Sequence, residues 1–200
     1  MIALIDYDLG NLRSVEKALE SVGANVTVTS DPQVIASADK VVLPGVGAFG
    51  DGMVGLKRYG LIPVLNEIVN RGTPLLGICV GMQVLFEVGE EYGEHQGLGF
   101  LPGHVKGFES ATLKVPQTGW NQLEVAQPNI LLENLLPNDY AYFNHAFYCD
   151  AQPEHTLAYT DYTRRYASVV GRGRLYGAQF HPEKSQRVGM TILRNFVERG

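Results

Sequence analysis

PLLGICVGMQVLF, residues 74–86, is the stretch on which the fold turns. Pro74 opens an apolar run, Leu75-Leu76-Gly77-Ile78, that reads as a buried β-strand. From Gly81 to about Val88 the apolar spacing changes to that of a helix. Gly77-Ile78-Cys79-Val80-Gly81 therefore lies where a buried strand turns into a helix. This is the context of a nucleophile elbow, with Cys in place of Ser. Such a sharp turn strains the nucleophile's backbone, and side chains two residues to either side would collide, which explains the flanking glycines. It lifts the thiol above the carboxyl edge of a sheet, where α/β proteins bind ligands. A helix N-terminus beneath the sulfur would favour the thiolate, and the Val80 N–H would be free to face an oxyanion. On position alone, a buried structural thiol fits Cys79 equally well.

Working outward, strands and helices alternate through the first half. IALIDY (2–7) is a strand; Asn11 to Val22 carries Leu12, Val15, Ala18, Leu19 and Val22 on one helical face. NVTVTS (25–30) and KVVLPG (40–45) are strands, the second closed by Pro-Gly. Residues 51–71 have helical spacing interrupted at Gly60 and Pro63. Strands separated by helices imply parallel pairing: an α/β, doubly wound, mostly parallel sheet with helices on both faces. The second half consists of short β-rich segments near 98–109, 119–126, 140–149, 156–162, 166–171 and 174–181, expected as antiparallel additions to that sheet. A helix from about Gln186 to Glu198 closes the pattern, with Val188, Ile192, Leu193 and Phe196 at core spacing. With no repeat, low-complexity linker or composition break, residues 1–200 are expected to form one domain.

Composition narrows the function. The 45 % apolar and 18 % charged content is that of a globular chain, and a net charge of -5 argues against a nucleic-acid binder. MIALIDY reads as an immediate strand rather than a signal peptide, and the 74–86 stretch is too short to span a bilayer. Two cysteines give no disulfide framework; a 79–149 bridge is the one pairing available, and a reduced, cytoplasmic setting disfavours it. Cys149, alternating with aromatics, reads as a core thiol.

Cys79 needs a base, and His181 in AQFHPEKS offers one. His181 and Glu183 are one residue apart, so an extended segment would aim both side chains the same way, with Pro182 enforcing that geometry. Glu183 would hold one imidazole nitrogen while the other faces the thiol, the logic of a nucleophile–base–orienter triad. A polar surface turn is the alternative reading of this fragment. His95 and His155 lie in polar loops and are expected to face solvent; His104 has no evident partner; His145, in YFNHAFY, reads as a satisfied core or interface histidine. No spacing of His or Cys suits a metal, and no cofactor is expected. PGVGAFGDGM (44–53) lacks the spacing of a Walker loop or dinucleotide fingerprint, but its glycine-rich turn at a strand end suits an oxyanion.

GICVGMQ around Cys79, PGVG at 44–47 and HPE at 181–183 resemble, in type and order, the three signatures of the class I (triad) glutamine amidotransferases, which have a flavodoxin-like fold. With IDYDLGNLRSV, PQTGWNQL and FHPEKS, the similarity spans nearly the whole chain and is nearest to the glutaminase subunits of histidine biosynthesis. The resemblance implies that Cys79 attacks the side-chain amide of glutamine, with His181 and Glu183 completing the triad. It implies Gly45, Val46 and Val80 around the oxyanion and Gln83 and Glu91 as substrate-binding residues. It also implies a partner, a (β/α)8-barrel cyclase subunit that uses the ammonia, with Asn11, Tyr142 and Lys184 at the interface. A separate partner makes chemical sense, because ammonia released into neutral water is mostly protonated and loses its nucleophilic lone pair.

The sequence departs from the family pattern at Asp8, where relatives have Gly, and at Asn144 and Ala146, which replace a YFVHSY-like segment and its hydroxyl beside His145. Two rival readings are a glutaminase of pyridoxal phosphate synthesis and a DJ-1/PfpI-like cysteine hydrolase. The first carries a Gly-Gly-Glu-Ser-type segment that is missing here, and the second does not end on HPE.

Overall fold

A computed structural model describes residues 1–200. The first part of the chain comprises β1 (Ile2–Ile5), α1 (Leu12–Ser21), β2 (Val26–Thr29), α2 (Pro32–Ser37), β3 (Lys40–Leu43), α3 (Phe49–Arg58), α4 (Leu61–Asn70), β4 (Leu75–Ile78) and the single turn α5 (Val80–Gln83). There follow β5 (Phe86–Gly89), β6 (His95–Gln96), β7 (Leu101–Gly107), β8 (Gln117–Gln122), β9 (Glu124–Val125) and β10 (Tyr140–His145). The chain ends with β11 (Phe147–Ala151), β12 (Thr156–Asp161), β13 (Arg165–Arg172), β14 (Leu175–Ala178) and α6 (Gln186–Arg199).

Local chemistry sets these boundaries. Val15, Ala18 and Leu19 give α1 one buried face. Asp31 caps α2 by accepting the Gln33 N–H at 2.8 Å, with Pro32 in the first turn. Gly60, at φ 64, separates α3 from α4. Pro63 does not interrupt: it falls in the first turn of α4, where the missing N–H has no intrahelical partner to lose.

The main sheet has twelve strands, in the order β2-β1-β3-β4-β14-β13-β11-β7-β5-β6, with β12 and β9 branching from β13. From β2 to β14 every neighbour is parallel. The chain moves from β1 out to β2 through α1 and returns across β1 to β3 through α2. Right-handed crossovers therefore put these helices on opposite faces. α6 packs beside α1, and α4 beside α2 and α3. β1, β4 and β14 are buried at every position, as strands covered on both faces must be.

The second half differs from the sequence expectation in three ways. β14 is not an antiparallel addition: it pairs in parallel with β4, from Leu175↔Leu75 to Ala178↔Ile78, and lies inside the sheet. A hairpin from β13 delivers it there, and its apolar, two-sided burial suits that position. β8 and β10 form their own two-stranded sheet, and the 140–149 segment breaks at Ala146 into β10 and β11. The helix expected over 81–88 ends at Gln83, and Phe86–Gly89 is a strand parallel to β7. Val84, Leu85 and Phe86 are all fully buried, and an apolar run with no polar face carries no period to separate helix from strand.

Three connections at the carboxyl edge meet at one point. A Cβ placed on Gly81 would lie 1.9 Å from the Leu43 carbonyl oxygen, and one on Gly77 would lie 2.5 Å from the Gly81 oxygen. The elbow can therefore lie against the end of β3 only because residue 81 has no side chain. Gly81→Ala is expected to lower stability by about 1–3 kcal/mol or more. A urea-unfolding midpoint equal to that of the unsubstituted chain would contradict this packing.

Candidate active site

Cys79 joins β4 to α5 at φ 55, ψ -111, a conformation that strains a residue with a Cβ by roughly 1–3 kcal/mol. Its N–H donates to the Ala178 oxygen at 2.8 Å, and its own carbonyl accepts from Met82 and Gln83 at 3.0 and 3.1 Å, so the turn is bonded on both sides. α5 is only one turn long, so the helix dipole expected beneath the sulfur is small. The sulfur's polar neighbours are side chains from the next strand: the Gln179 Nε2, 3.8 Å from Sγ, and His181.

His181 follows the end of β14, and its N–H donates to the Tyr142 oxygen at 3.0 Å. The orienting geometry is not the extended one the sequence implies. Pro182–Lys184 form a 3-10 turn, which folds Glu183 back so that its Oε1 lies 3.0 Å from His181 Nδ1. Nε2 is thereby left for the sulfur. Ser185 Oγ pins the turn, donating to the His181 oxygen at 2.7 Å and accepting the Tyr142 N–H at 2.9 Å. The His181 and Glu183 side chains are 4 % and 1 % exposed, and Glu183 Oε2 has no hydrogen-bond partner. Burial works against a charged His181. Hydrogen bonding and charge attraction from Cys79 and Glu183 outweigh it and raise the imidazole's pKa to about 9.

The 44–47 turn leaves β3 beside the elbow. Gly45 lies beneath the cleft rather than in it: a Cβ there would come within 2.7 Å of the Gly81 nitrogen. Buried Tyr7 donates its hydroxyl to the Pro44 oxygen at 2.6 Å and so fixes the turn from below. Burial, with the Cys79 charge adding, pushes the Tyr7 pKa up and keeps it a donor. Val46 is 38 % exposed; its N–H finds no acceptor within the chain, and the Val80 N–H opens α5, where no intrahelical acceptor exists.

A cleft of ≈ 240 Å³ brings together Cys79, His181, Val46, Val80, Gln83, Glu91 and Lys184. Gln83 Nε2 donates to the Phe147 oxygen at 3.1 Å, and Glu91 Oε2 accepts the Phe49 N–H at 2.9 Å, capping α3. Asn11 and Tyr142 lie outside the cleft. Asn11 caps α1 through its carbonyl, and the Tyr142 ring has Lys184 Nζ 6.0 Å from its centroid. His145 is a buried core histidine in the cleft wall. Its Nδ1 lies 2.7 Å from the Phe147 oxygen and its Nε2 3.3 Å from the Tyr166 hydroxyl, so a hydroxyl does stand beside it, supplied by β13. Asp8 adopts a left-handed turn at φ 69, a region Asp enters more readily than most residues. His104 does have a partner, Glu90 at 3.0 Å, and His95 and His155 are half-buried. Both cysteines are free, with Cys149 fully buried, and no cluster of three or more His, Cys, Asp or Glu is placed to hold a metal. Sequence reasoning missed Tyr7, Gln179 and Ser185. Gln179 alone left a signal, an amide at the end of an apolar strand two residues before the base.

A strained cysteine elbow, a histidine–carboxylate pair in the turn after the adjacent strand and a free-amide turn define a class of enzyme. The glutamine amidotransferase class-I profile matches residues 3–199, and the chain belongs to that family. Within it, the chain is 42 % identical to the imidazole glycerol phosphate synthase subunit HisH of Chlorobium luteolum, over 99 % of this chain and 100 % of that one. It is 47 % identical to the HisH subunit of Salinibacter ruber, over 98 % and 94 % of the two chains. It groups with these glutaminase subunits of histidine biosynthesis. Among solved structures, a crystal structure of a glutamine amidotransferase superposes with a TM-score of 0.76 at 21 % identity, covering 99 % of this chain and 98 % of that one. PurLQS from Thermotoga maritima gives 0.77 at 19 %, covering 98 % and 96 %; both are likenesses of fold.

The two buried histidines should bend the pH–stability curve in opposite directions. Burial lowers the His145 pKa to about 4, against the hydrogen bond its Nδ1 donates to the Phe147 oxygen. Between pH ~6.5 and ~4 the unfolded chain therefore binds the extra proton, and on the order of 3 kcal/mol is lost as pH falls. For His181, raised to about 9, the stabilisation is complete below pH ~6.5 and is lost as pH rises toward that value. In Cys79→Ala the His181 imidazole should titrate well below its position in the unsubstituted chain, as read by side-chain nitrogen NMR. An unchanged titration would mean that sulfur and imidazole do not interact.

Proposed function

We propose that residues 1–200 form one glutaminase domain in which Cys79 opens the side-chain amide of glutamine. The observation that carries this reading is the placement of Cys79 and His181 beyond the carboxyl ends of two adjacent parallel strands, both lining one cleft, with Glu183 buried on the imidazole. Cys79 Sγ adds to the amide carbon, and the carbonyl oxygen takes up negative charge facing the Val46 and Val80 N–H groups. Gly45, packed on Gly81, sets the height of that turn. Protonated His181 gives its Nε2 proton to the departing nitrogen. The C–N bond breaks, ammonia leaves and a γ-glutamyl thioester remains. Water then attacks the thioester and surrenders a proton to His181. The C–S bond breaks, glutamate leaves and the thiolate–imidazolium pair is restored. Glu183 keeps Nδ1 protonated and steadies the imidazolium. Gln83 and Glu91 present oxygen acceptors to the cleft that suit the α-ammonium group of glutamine.

The HisH relatives are named as subunits of a synthase. We infer that the ammonia passes to a (β/α)8-barrel cyclase subunit, with Asn11, Tyr142 and Lys184 at the contact. Lys184 supports this reading, because it is exposed at the mouth of the cleft and leans over Tyr142. No helix is long and apolar enough to cross a membrane, and a cytoplasmic setting is part of the same proposal.

Cys79→Ala should abolish glutamine-dependent synthesis in the complex with the cyclase while leaving ammonia-dependent synthesis intact. Loss of both would assign Cys79 a structural role. Glu183→Ala should lower kcat by about 100- to 10,000-fold with the fold retained, and a change of only a few-fold would remove Glu183 from the mechanism. Glutaminase activity of the chain alone should be weak and rise strongly with cyclase and its ligand. Full activity in isolation would sink the proposed control by the partner.

A further inference from the structure

We propose that Gln179 is a positioning residue, holding the Cys79 sulfur by donating its side-chain N–H to it. The inference rests on the glutaminase reading and adds a residue to it. Gln179 is fully buried between the end of β14 and His181, where a polar amide with no partners would be costly. Its contacts fix which way the amide points. The Phe147 carbonyl can only accept, so the Gln83 side-chain nitrogen faces it, at 3.1 Å. The same nitrogen lies 3.2 Å from the Gln179 oxygen, which must therefore be the acceptor. Nε2 of Gln179 is left pointing at Cys79 Sγ, 3.8 Å away and within reach of a sulfur acceptor. A backbone carbonyl thus orients Gln83, Gln83 orients Gln179, and Gln179 holds the nucleophile.

The chemistry of such a contact differs between the states of the cycle. A donor to sulfur is strongest when the sulfur is a thiolate and weakest when it is acylated, because a thioester sulfur is neutral and a poor acceptor. Gln179 therefore favours the resting nucleophile and the departure of sulfur when water opens the thioester. It also complements His181: the imidazolium supplies a mobile proton, and the amide a fixed donor that never leaves. Gln179 has a separate backbone anchor, donating its N–H to the Ser168 oxygen at 2.9 Å, so the strand end does not depend on the side chain.

The test uses Gln179→Met and Gln179→Glu, which keep length and remove the donor. With the chain in complex with its synthase partner, kcat for glutamine hydrolysis should fall about tenfold or more while KM stays within about twofold. Iodoacetamide alkylation of Cys79, resolved from Cys149 by peptide mapping, should need a higher pH, and more so in the Glu variant, whose carboxylate repels a thiolate. An unchanged kcat and alkylation profile in Gln179→Met would overturn the proposal, leaving the side chain as filler. A raised KM with unchanged kcat would overturn it too, because Gln179 would then act only through Gln83 on substrate. If both variants unfold, the unsubstituted chain still decides. Its Gln179 side-chain amide resonances should move when Cys79 is alkylated, and fixed resonances would refute the contact. Absence of glutamine hydrolysis by the unsubstituted complex would defeat the glutaminase reading instead, while the alkylation profile would still report on Gln179.

Discussion

The site depends on the parallel pairing of β4 with β14. That ladder ends in the 2.8 Å hydrogen bond from the Cys79 N–H to the Ala178 oxygen, which holds the elbow in its strained conformation. The next residues of β14's chain are Gln179 and, after one apolar anchor in Phe180, His181. Slipping the pair by one residue would turn every side chain to the opposite face and carry the imidazole away from the sulfur. Because β4 and β14 are buried on both faces, such a slip is strongly resisted.

Around this ladder, small distances set the electrostatics. Gly81 lets the elbow rest on the end of β3, and Val46 and Val80 line the same cleft as Cys79. The 3-10 turn after His181 buries a carboxylate with one oxygen on the imidazole and the other unpaired, so its charge acts mainly on His181. Such an arrangement is costly to bury unless its partner is charged. Cys79, His181 and Glu183 are in this sense one electrostatic unit, and His145 behind them stays neutral because burial, with the His181 charge adding, outweighs its hydrogen bond to the Phe147 oxygen.

The sequence carried some of this and hid the rest, for identifiable reasons. The strand ending at Cys79 was legible because Gly77 and Gly81 flank it and an apolar run precedes it. The pairing of His181 with Glu183 was visible from their spacing, but an extended backbone was the wrong means of bringing them together, since Pro182 can open a 3-10 turn as readily as it can hold a strand. β14 was misplaced as an antiparallel addition because strand direction is a property of the hairpin and its neighbours, not of Leu175–Ala178 themselves. Val84–Phe86 had no polar face, so helix and strand could not be told apart there. Gln179 and Tyr7 stayed hidden because their importance lies in what they touch across the sheet.

This ladder makes Cys79, which lines the cleft, and not the fully buried Cys149, the residue whose sulfur carries substrate. The direct measurement is to quench the complex in acid during turnover with isotope-labelled glutamine and map the label by peptide mass spectrometry. A γ-glutamyl group is expected on the peptide bearing Cys79, discharged by neutral hydroxylamine as a thioester must be. Label on Cys149, or ammonia release with no acylated thiol under conditions where deacylation is slow, would overturn the assignment of Cys79 as the nucleophile.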